Sequence, residues 1–255
     1  MKVLVMVKQV PDTETRIKIR PDGQGIVEDG IKWVINPYDE FAVEESLRIR
    51  EKFGGETVVV ALGPKRVEEA VRQSLAMGAD RAVIIESADM LEPSLVVQAL
   101  AKVVKEEGFD LIITGKQAVD DDSAQVGPML AARLGLPHAS IVIKLDIDDS
   151  QNKLRVEREL EGATEVVELP FPSVITAQRG LNEPRYPTLP NIMKAKKKEV
   201  KRIPLDSLSI DPSPRIRLIQ LSPPPDRPQP TVLTGEPAET AKKLAELLHE
   251  QAKVI

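Results

Sequence analysis

Short apolar runs alternate with longer amphipathic stretches through the first 145 or so residues. The runs are VLVMV (3–7), TVVVAL (57–62), AVIIE (82–86) and DLIIT (110–114). Neighbouring positions within each are apolar, so both faces of the strand are buried, as in a parallel sheet. Between the runs lie EFAVEESLRIREKF (40–53), VEEAVRQSLAMG (67–78) and SLVVQALAKVVKEEG (94–108). These repeat apolar residues every three or four positions, and the first two stop at Gly54 and Gly78, as helices do. Strand–helix alternation of this kind predicts an α/β fold, a doubly wound, mostly parallel, Rossmann-like sheet.

Two stretches follow a period of two instead. RIKIRPDGQGIVEDGIKWVI (16–35) alternates around PDGQG and predicts a hairpin insertion. LRVERELEGATEVVE (154–168) predicts another, turning at Glu161 and Gly162, and PSVITA (172–177) supplies a last buried strand. After Gln178 prolines recur at 184, 187 and 190, and a basic cluster ends in KAKKKEVKR. SPPPDRPQP (222–230) is a spacer of extended character. The last stretch, EPAETAKKLAELLHEQAKVI, places Ala241, Leu244, Leu247 and Leu248 on one helical face. The expected organisation is an α/β domain over 1–200 and a proline-rich arm with a terminal helix over 201–255. That helix docks either on its own domain or on another chain.

Composition narrows the function. With 255 residues and 42% apolar content the chain can bury a substantial core, and a net charge of −5 argues against a general nucleic-acid binder. No run of about 18 apolar residues predicts a membrane span. MKVLVMVKQV lacks a small-residue cleavage site and reads as a first strand. There is no Cys and there are only two His, His138 and His249, so neither a thiolate nucleophile nor a Cys- or His-based metal site is expected.

The chemistry then concentrates on GKQAVDDDSAQVGP (115–128), which follows the fourth apolar run and precedes the helical LAARLGL. Loops at such strand ends hold ligands in α/β sheets. A phosphate would be repelled by bare carboxylates, so a nucleotide here needs two kinds of contact. Backbone N–H groups at the start of a helix over 123–134, capped by Ser123, would take the phosphate. Carboxylates would accept from ribose hydroxyls. The alternative is that Asp120, Asp121 and Asp122 only complement the helix dipole. No G-x-G-x-x-G follows the first strand, and no Walker loop is present. Further on, Pro187 and Pro190 predict an extended Thr188-Leu189, with Leu189 either an exposed apolar anchor or a core leucine beside a lysine run.

The motifs VKQVPDT, VINPYDEFAVEESLRI, SLAMGAD, GKQAVDDDSAQVG, VEREL and, most specifically, LNEPRYPTLPNIMKAKKK occur here in order. Together they make the chain, from residue 2 to about 198, resemble the beta subunits of electron transfer flavoproteins. The resemblance implies a non-enzymatic subunit of a heterodimer, with no catalytic residue of its own and no metal. An electron transfer flavoprotein alpha subunit would carry the redox FAD on a mobile domain, and the beta chain would bind a structural AMP. Its pocket would be formed by Met6, by Asn36, Pro37, Tyr38 and Asp39, and by Leu62. The acidic loop would complete it through Lys116, Gln117, Ala118, Val119, Asp120, Asp121, Asp122, Ser123, Ala124, Gln125, Val126 and Gly127.

NPYD and AQVGP are also similar to electron-bifurcating members, in which a second FAD replaces AMP; DDD and TLPN are similar to ordinary carriers. Tyr38 and Glu159 would contact the flavin domain, and Thr13 stands where many relatives have a tyrosine. In a docking loop over 182–198, Leu189 would be the hook for acyl-CoA dehydrogenases and related flavin dehydrogenases, with Pro190, Asn191, Ile192, Met193 and Lys194 around it. Electrons would pass on to a quinone-reducing acceptor, in cytoplasmic fatty acid oxidation. The rival from another class is a stand-alone adenine-nucleotide-binding regulatory module.

Overall fold

The structure, a computed structural model, describes residues 1–88, 91–211, 213–225 and 229–255. Of the proline-rich spacer expected at 222–230, positions 226–228 lie outside the described residues. The chain forms two compact units, one of residues 1–18 and 27–218, the other of 19–26 and 219–255.

In the first unit, β1 (Lys2–Val7) is followed by a small antiparallel pair, β2 (Gln9–Pro11) with β3 (Trp33–Ile35). Then come α1 (Pro37–Phe53), β4 (Glu56–Gly63), a 3₁₀ turn (Lys65–Val67), α2 (Glu68–Met77) and β5 (Arg81–Glu86). Next are α3 (Pro93–Glu107), β6 (Leu111–Gly115), α4 (Val126–Leu134) and β7 (His138–Asp148). The hairpin β8 (Lys153–Leu160) and β9 (Ala163–Pro170), then β10 (Ser173–Ala177), α5 (Leu189–Ala195) and β11 (Val200–Pro204), complete it. Proline opens α1 and α3, and Gly54, Gly78, Gly108 and Gly135 close the first four helices, for the reasons that make both residues helix punctuation.

Among the described residues nine strands form one sheet in the order β11-β5-β4-β1-β6-β10-β7-β8-β9. The pairs from β11 through to β7 are parallel, and β8 and β9 add an antiparallel edge. Alternate strand residues point into separate cores. Val3, Val5, Val59 and Ile113 pack with Ala42, Val43, Leu47, Val71 and Leu75 of α1 and α2. Leu4, Met6, Val58, Val60 and Ile112 pack with Val97, Leu100, Val104 and Leu130 of α3 and α4. This is the doubly wound arrangement expected from strands apolar on both faces.

Chain order reverses at β1: the path runs outward through β4 and β5, then returns to β6 on the other side. The reversal opens a crevice beyond the carboxyl ends of β1 and β6, where such sheets bind ligands.

The second hairpin turns at Glu161 and Gly162, as expected. The first does not form a continuous ladder. The stretch 16–35 keeps an isolated bridge between Ile19 and Ile26, and its last residues pair instead with Gln9–Pro11. Ile17 is 46% exposed and Ile19 and Ile26 are only half-buried, so this part of the stretch has little buried face to fix a register. In the second unit, the Leu221 N–H donates to the Gly23 carbonyl and the Gln24 side chain to that of Ile219. Its helix α6 (Pro237–Glu246) has no buried residue.

Candidate functional site

The crevice holds a cleft that is partly open to solvent. The strand ends supply Met6 and Val7 of β1 with Lys8 after it, Leu62 of β4 with Pro64 after it, and Thr114 and Gly115 of β6. Asn36, Asp39 and the loop residues Lys116, Gln117, Ala118, Asp121, Ser123, Ala124, Gln125, Val126 and Gly127 line it too. Of the residues singled out from the sequence, Pro37, Tyr38, Val119, Asp120 and Asp122 flank the cleft and do not line it.

Asn36 braces the acidic loop much as a strand neighbour would. Its Nδ2 donates to the Gln117 carbonyl at 2.9 Å, and its Oδ1 accepts the Val119 N–H at 3.2 Å. Asp39 does the same for the floor, accepting the Lys8 N–H at 2.7 Å and the Gly115 N–H at 3.0 Å. Burial pushes the Asp39 carboxyl up to about 7, against the pull of these donors.

The three aspartates have separate tasks. Lys8 Nζ bridges Asp120 Oδ1 at 2.7 Å and Asp121 Oδ2 at 3.2 Å. Asp121 also accepts the Ser123 N–H at 3.1 Å. Burial raises its pKa, but Ser123 and Lys8 outweigh that and leave it below the usual carboxylate value. Asp122 accepts from Gln117 Nε2.

The helix expected over 123–134 starts later, at Val126, with Gln125 rather than Ser123 as its cap. Asp122 and Ala124 stand at φ 50° and 51°, in the left-handed region, so helical backbone cannot begin before them. The first-turn N–H groups of Val126 and Gly127 have no acceptor within the helix, and both residues line the cleft. Gly127 permits this approach: a Cβ there would lie 2.6 Å from Thr176 Cγ2 and 2.9 Å from Thr114 Oγ1. The helix therefore sits directly on β6 and β10, as the close-packing glycine of a dinucleotide fold allows.

Sequence reasoning missed Lys8, Gln9 and Arg66 as cleft residues. Arg66 lies with its guanidinium 3.4 Å from the Trp33 ring centroid, donates to Gln9 Oε1 at 3.0 Å and faces Glu28 at 3.6 Å. A cation just after GP at the end of β4 is the signal that could have found it. Trp33 thus stacks on Arg66. Tyr38 is half-buried, with Lys116 Nζ 5.1 Å from its ring centroid. His138 is exposed at the start of β7. Among the described residues no group of three or more His, Asp or Glu side chains is placed to hold a metal ion, and no helix is long and apolar enough to cross a membrane.

Beyond the cleft, the NEPR segment is fastened to α1. Asn182 Nδ2 donates to the Phe41 carbonyl at 2.9 Å and to Glu45 Oε2 at 2.8 Å. The Arg185 fork grips Glu44 through Nε at 2.8 Å and Nη2 at 3.0 Å, and also reaches Glu51. The next residues were expected to be extended and instead form α5: Thr188 is extended, but its hydroxyl accepts the Asn191 N–H, and Pro190 fits a first turn. Leu189 is 79% exposed, with Tyr186, Met193 and Ile192 also open to solvent. Glu157 pairs with Lys144 at 2.7 Å, whereas Glu159 accepts from Gln178 Nε2 at 2.8 Å and is in no ion pair among the described residues.

A family model described as the electron transfer flavoprotein domain matches residues 24–208. Several relatives carry the name electron transfer flavoprotein subunit beta, three of them as follows. That of Bacillus subtilis is 42% identical over 261 residues, covering 100% of both chains. That of Homo sapiens is 40% identical over 259 residues, covering 100% of this chain and 99% of its own. That of Bradyrhizobium diazoefficiens is 43% identical over 247 residues, covering 96% and 97%.

Proposed function

The chain belongs to the electron transfer flavoprotein beta subunit family, and from that premise we propose how its cleft, its α5 segment and its terminal arm serve an electron carrier. The cleft takes AMP. Its phosphate lies against the N–H groups of Val126 and Gly127, where unpaired donors and the helix dipole favour an anion. Asp121, the one aspartate of the three that lines the cleft, accepts from ribose hydroxyls, while Asp120 and Asp122 hold the loop in shape. What supports this reading is the meeting of those first-turn amides, a close-packing glycine and an acceptor at one strand-end crevice. Acid extraction of the intact heterodimer is expected to release AMP and FAD in equal amounts. Release of two FAD per heterodimer and no AMP overturns the reading and makes the chain an electron-bifurcating member with a second flavin.

The partner is the alpha subunit, whose FAD stores the electrons in transit. Glu159, exposed and without an ion-pair partner among the described residues, together with Tyr38, faces the flavin domain. Residues 201–204, expected to open the arm, instead belong to β11 of the sheet, and it is the stretch 219–255 that packs on the alpha subunit, through the uncovered face of α6. Leu189 docks the chain in an apolar pocket of acyl-CoA dehydrogenases or related flavin dehydrogenases, and electrons leave for a quinone-reducing acceptor. A buried leucine contributes about 2 kcal/mol, which suits a carrier that must dissociate after each transfer. Cytoplasmic fatty acid oxidation is the setting this reading implies.

A further inference from the structure

Helix α5 has seven residues and carries exposed Leu189 and Met193. So short a helix is marginal unless its ends are held. At its carboxyl end two cations do this reciprocally. Arg72 of α2 donates through Nη1 to the carbonyls of Ala195 at 2.8 Å and Lys198 at 3.0 Å. In return Lys198 Nζ donates to the carbonyls of Leu75 and Ala79, which close α2. Each cation thus donates to carbonyls at or just beyond the end of the other helix, and sits where the helix dipole favours positive charge. Glu68 steadies Arg72, accepting from its Nε at 3.2 Å and Nη2 at 3.1 Å, and also receives Arg202 of β11. Burial draws the Lys198 pKa down, as expected of an ammonium withdrawn from solvent. Lys194, Lys196 and Lys197 remain exposed. The lysine run therefore contains three surface charges and one brace.

We propose that Arg72 and Lys198 are positioning residues that hold the docking helix preformed against α2, so that Leu189 meets its partner on an ordered element. The inference rests on the docking reading above. An anchor already ordered loses less conformational freedom on binding, and that saving appears as affinity.

The test uses the intact heterodimer with Arg72→Gln, Lys198→Met, Arg72→Lys and Leu189→Ala. In the first two variants, amides of α5 are expected to exchange about tenfold faster while those of β1 do not change, as loss of charge-assisted hydrogen bonds at one helix end requires. The KM for the carrier in reduction by an acyl-CoA dehydrogenase should rise about tenfold with kcat unchanged. Arg72→Lys, which keeps the charge but not the fork, should fall between. Lys198→Met leaves the residues of α2 intact and serves if Arg72→Gln fails to fold. Unchanged exchange in α5 overturns the inference. So does a KM raised by Leu189→Ala but not by the brace variants, which leaves the docking reading standing. If exchange quickens yet neither Leu189→Ala nor the brace variants alter KM, it is the docking reading that falls, taking the positioning role with it.

Discussion

The Asp39 carboxylate accepts the Gly115 N–H at 3.0 Å, and no side chain could stand between them: a Cβ on Gly115 would lie 2.3 Å from Asp39 Oδ1. This contact joins the first turn of α1 to the end of β6 at the floor of the cleft. Gly115→Ala must therefore push α1 away from the strand. The expected cost is about 1–3 kcal/mol, as for other overpacked sites. Urea unfolding should show it, together with a lower content of bound nucleotide in the purified heterodimer. A variant as stable and as nucleotide-loaded as wild type would mean that the floor is not rigid.

The same carboxyl predicts a pH dependence. Its value in the folded chain is about 7, raised by burial, against 3.8 ordinarily. Between those two values the folded chain binds more protons than the unfolded one. Stability from this group therefore falls as pH rises from about 4 to 7, and the loss is complete above 7. Asp39→Asn should be less stable at acid pH, because its NH₂ meets one of two backbone donors. It should nonetheless lose less stability than wild type between pH 4 and 7. Parallel melting curves for the two proteins across that range would refute the assignment.

The layers of the fold were legible because apolar runs, prolines and glycines act locally, within the element they specify. The acidic loop was not. Its course depends on Asn36, which bonds Gln117 from 81 residues away, and on Lys8, which reaches Asp120 from 112 away. Those contacts accompany Asp122 and Ala124 in the left-handed region and delay the helix, against the local capping signal of Ser123. Likewise NEPR and AVEES were each visible as motifs, but not that Arg185 and Glu44 complete one another. The position of the cleft was readable, because strand–helix alternation fixes where a doubly wound sheet reverses. The cation Arg66 within it was not, because its orientation follows from stacking on Trp33.

The Arg185–Glu44 pair gives a stability prediction. The Glu44 side chain is 4% exposed and that of Arg185 36%. Burial raises the Glu44 pKa, but the hydrogen bonds from Arg185 and Arg48 bring it below the ordinary value. Its contribution is thus present at neutral pH and lost as pH falls through the lowered folded value. Arg185→Ala leaves a buried carboxylate with Arg48 alone. The expected loss is roughly 2 kcal/mol, less than for a wholly buried pair because water reaches the guanidinium. Denaturant midpoints at pH 7 measure it, and the deficit should shrink toward pH 4. A deficit that does not depend on pH would point to lost packing rather than lost charge pairing.

Removal of residues 224–255 tests the arm. No residue of α6 is buried, so the first unit should keep its melting temperature without it. Association with the alpha subunit should weaken, shifting the heterodimer toward free chains on gel filtration at low concentration. An unchanged elution profile would exclude the arm from the subunit interface.

The docking reading depends most directly on Leu189, at 79% exposure the most open leucine among the large exposed apolar residues. Leu189→Ala should slow electron transfer from an acyl-CoA dehydrogenase about tenfold, because losing ~1.5 kcal/mol of contact multiplies dissociation by about that factor. Fold stability should not change, since no buried contact is removed. Reduction of the bound flavin by dithionite, which requires no docking, should proceed at the wild-type rate. Neutralising Lys196 and Lys197 should act differently. Both are exposed, so they would raise the association rate at low salt and do little once ions screen them. Lys198 belongs to the brace on α2, and its loss should persist at high salt. A Leu189→Ala protein that transfers electrons from the dehydrogenase at the wild-type rate would show that the exposed leucine is not the anchor. Loss of dithionite reduction in the same protein would show that the substitution acts on the flavin rather than on docking.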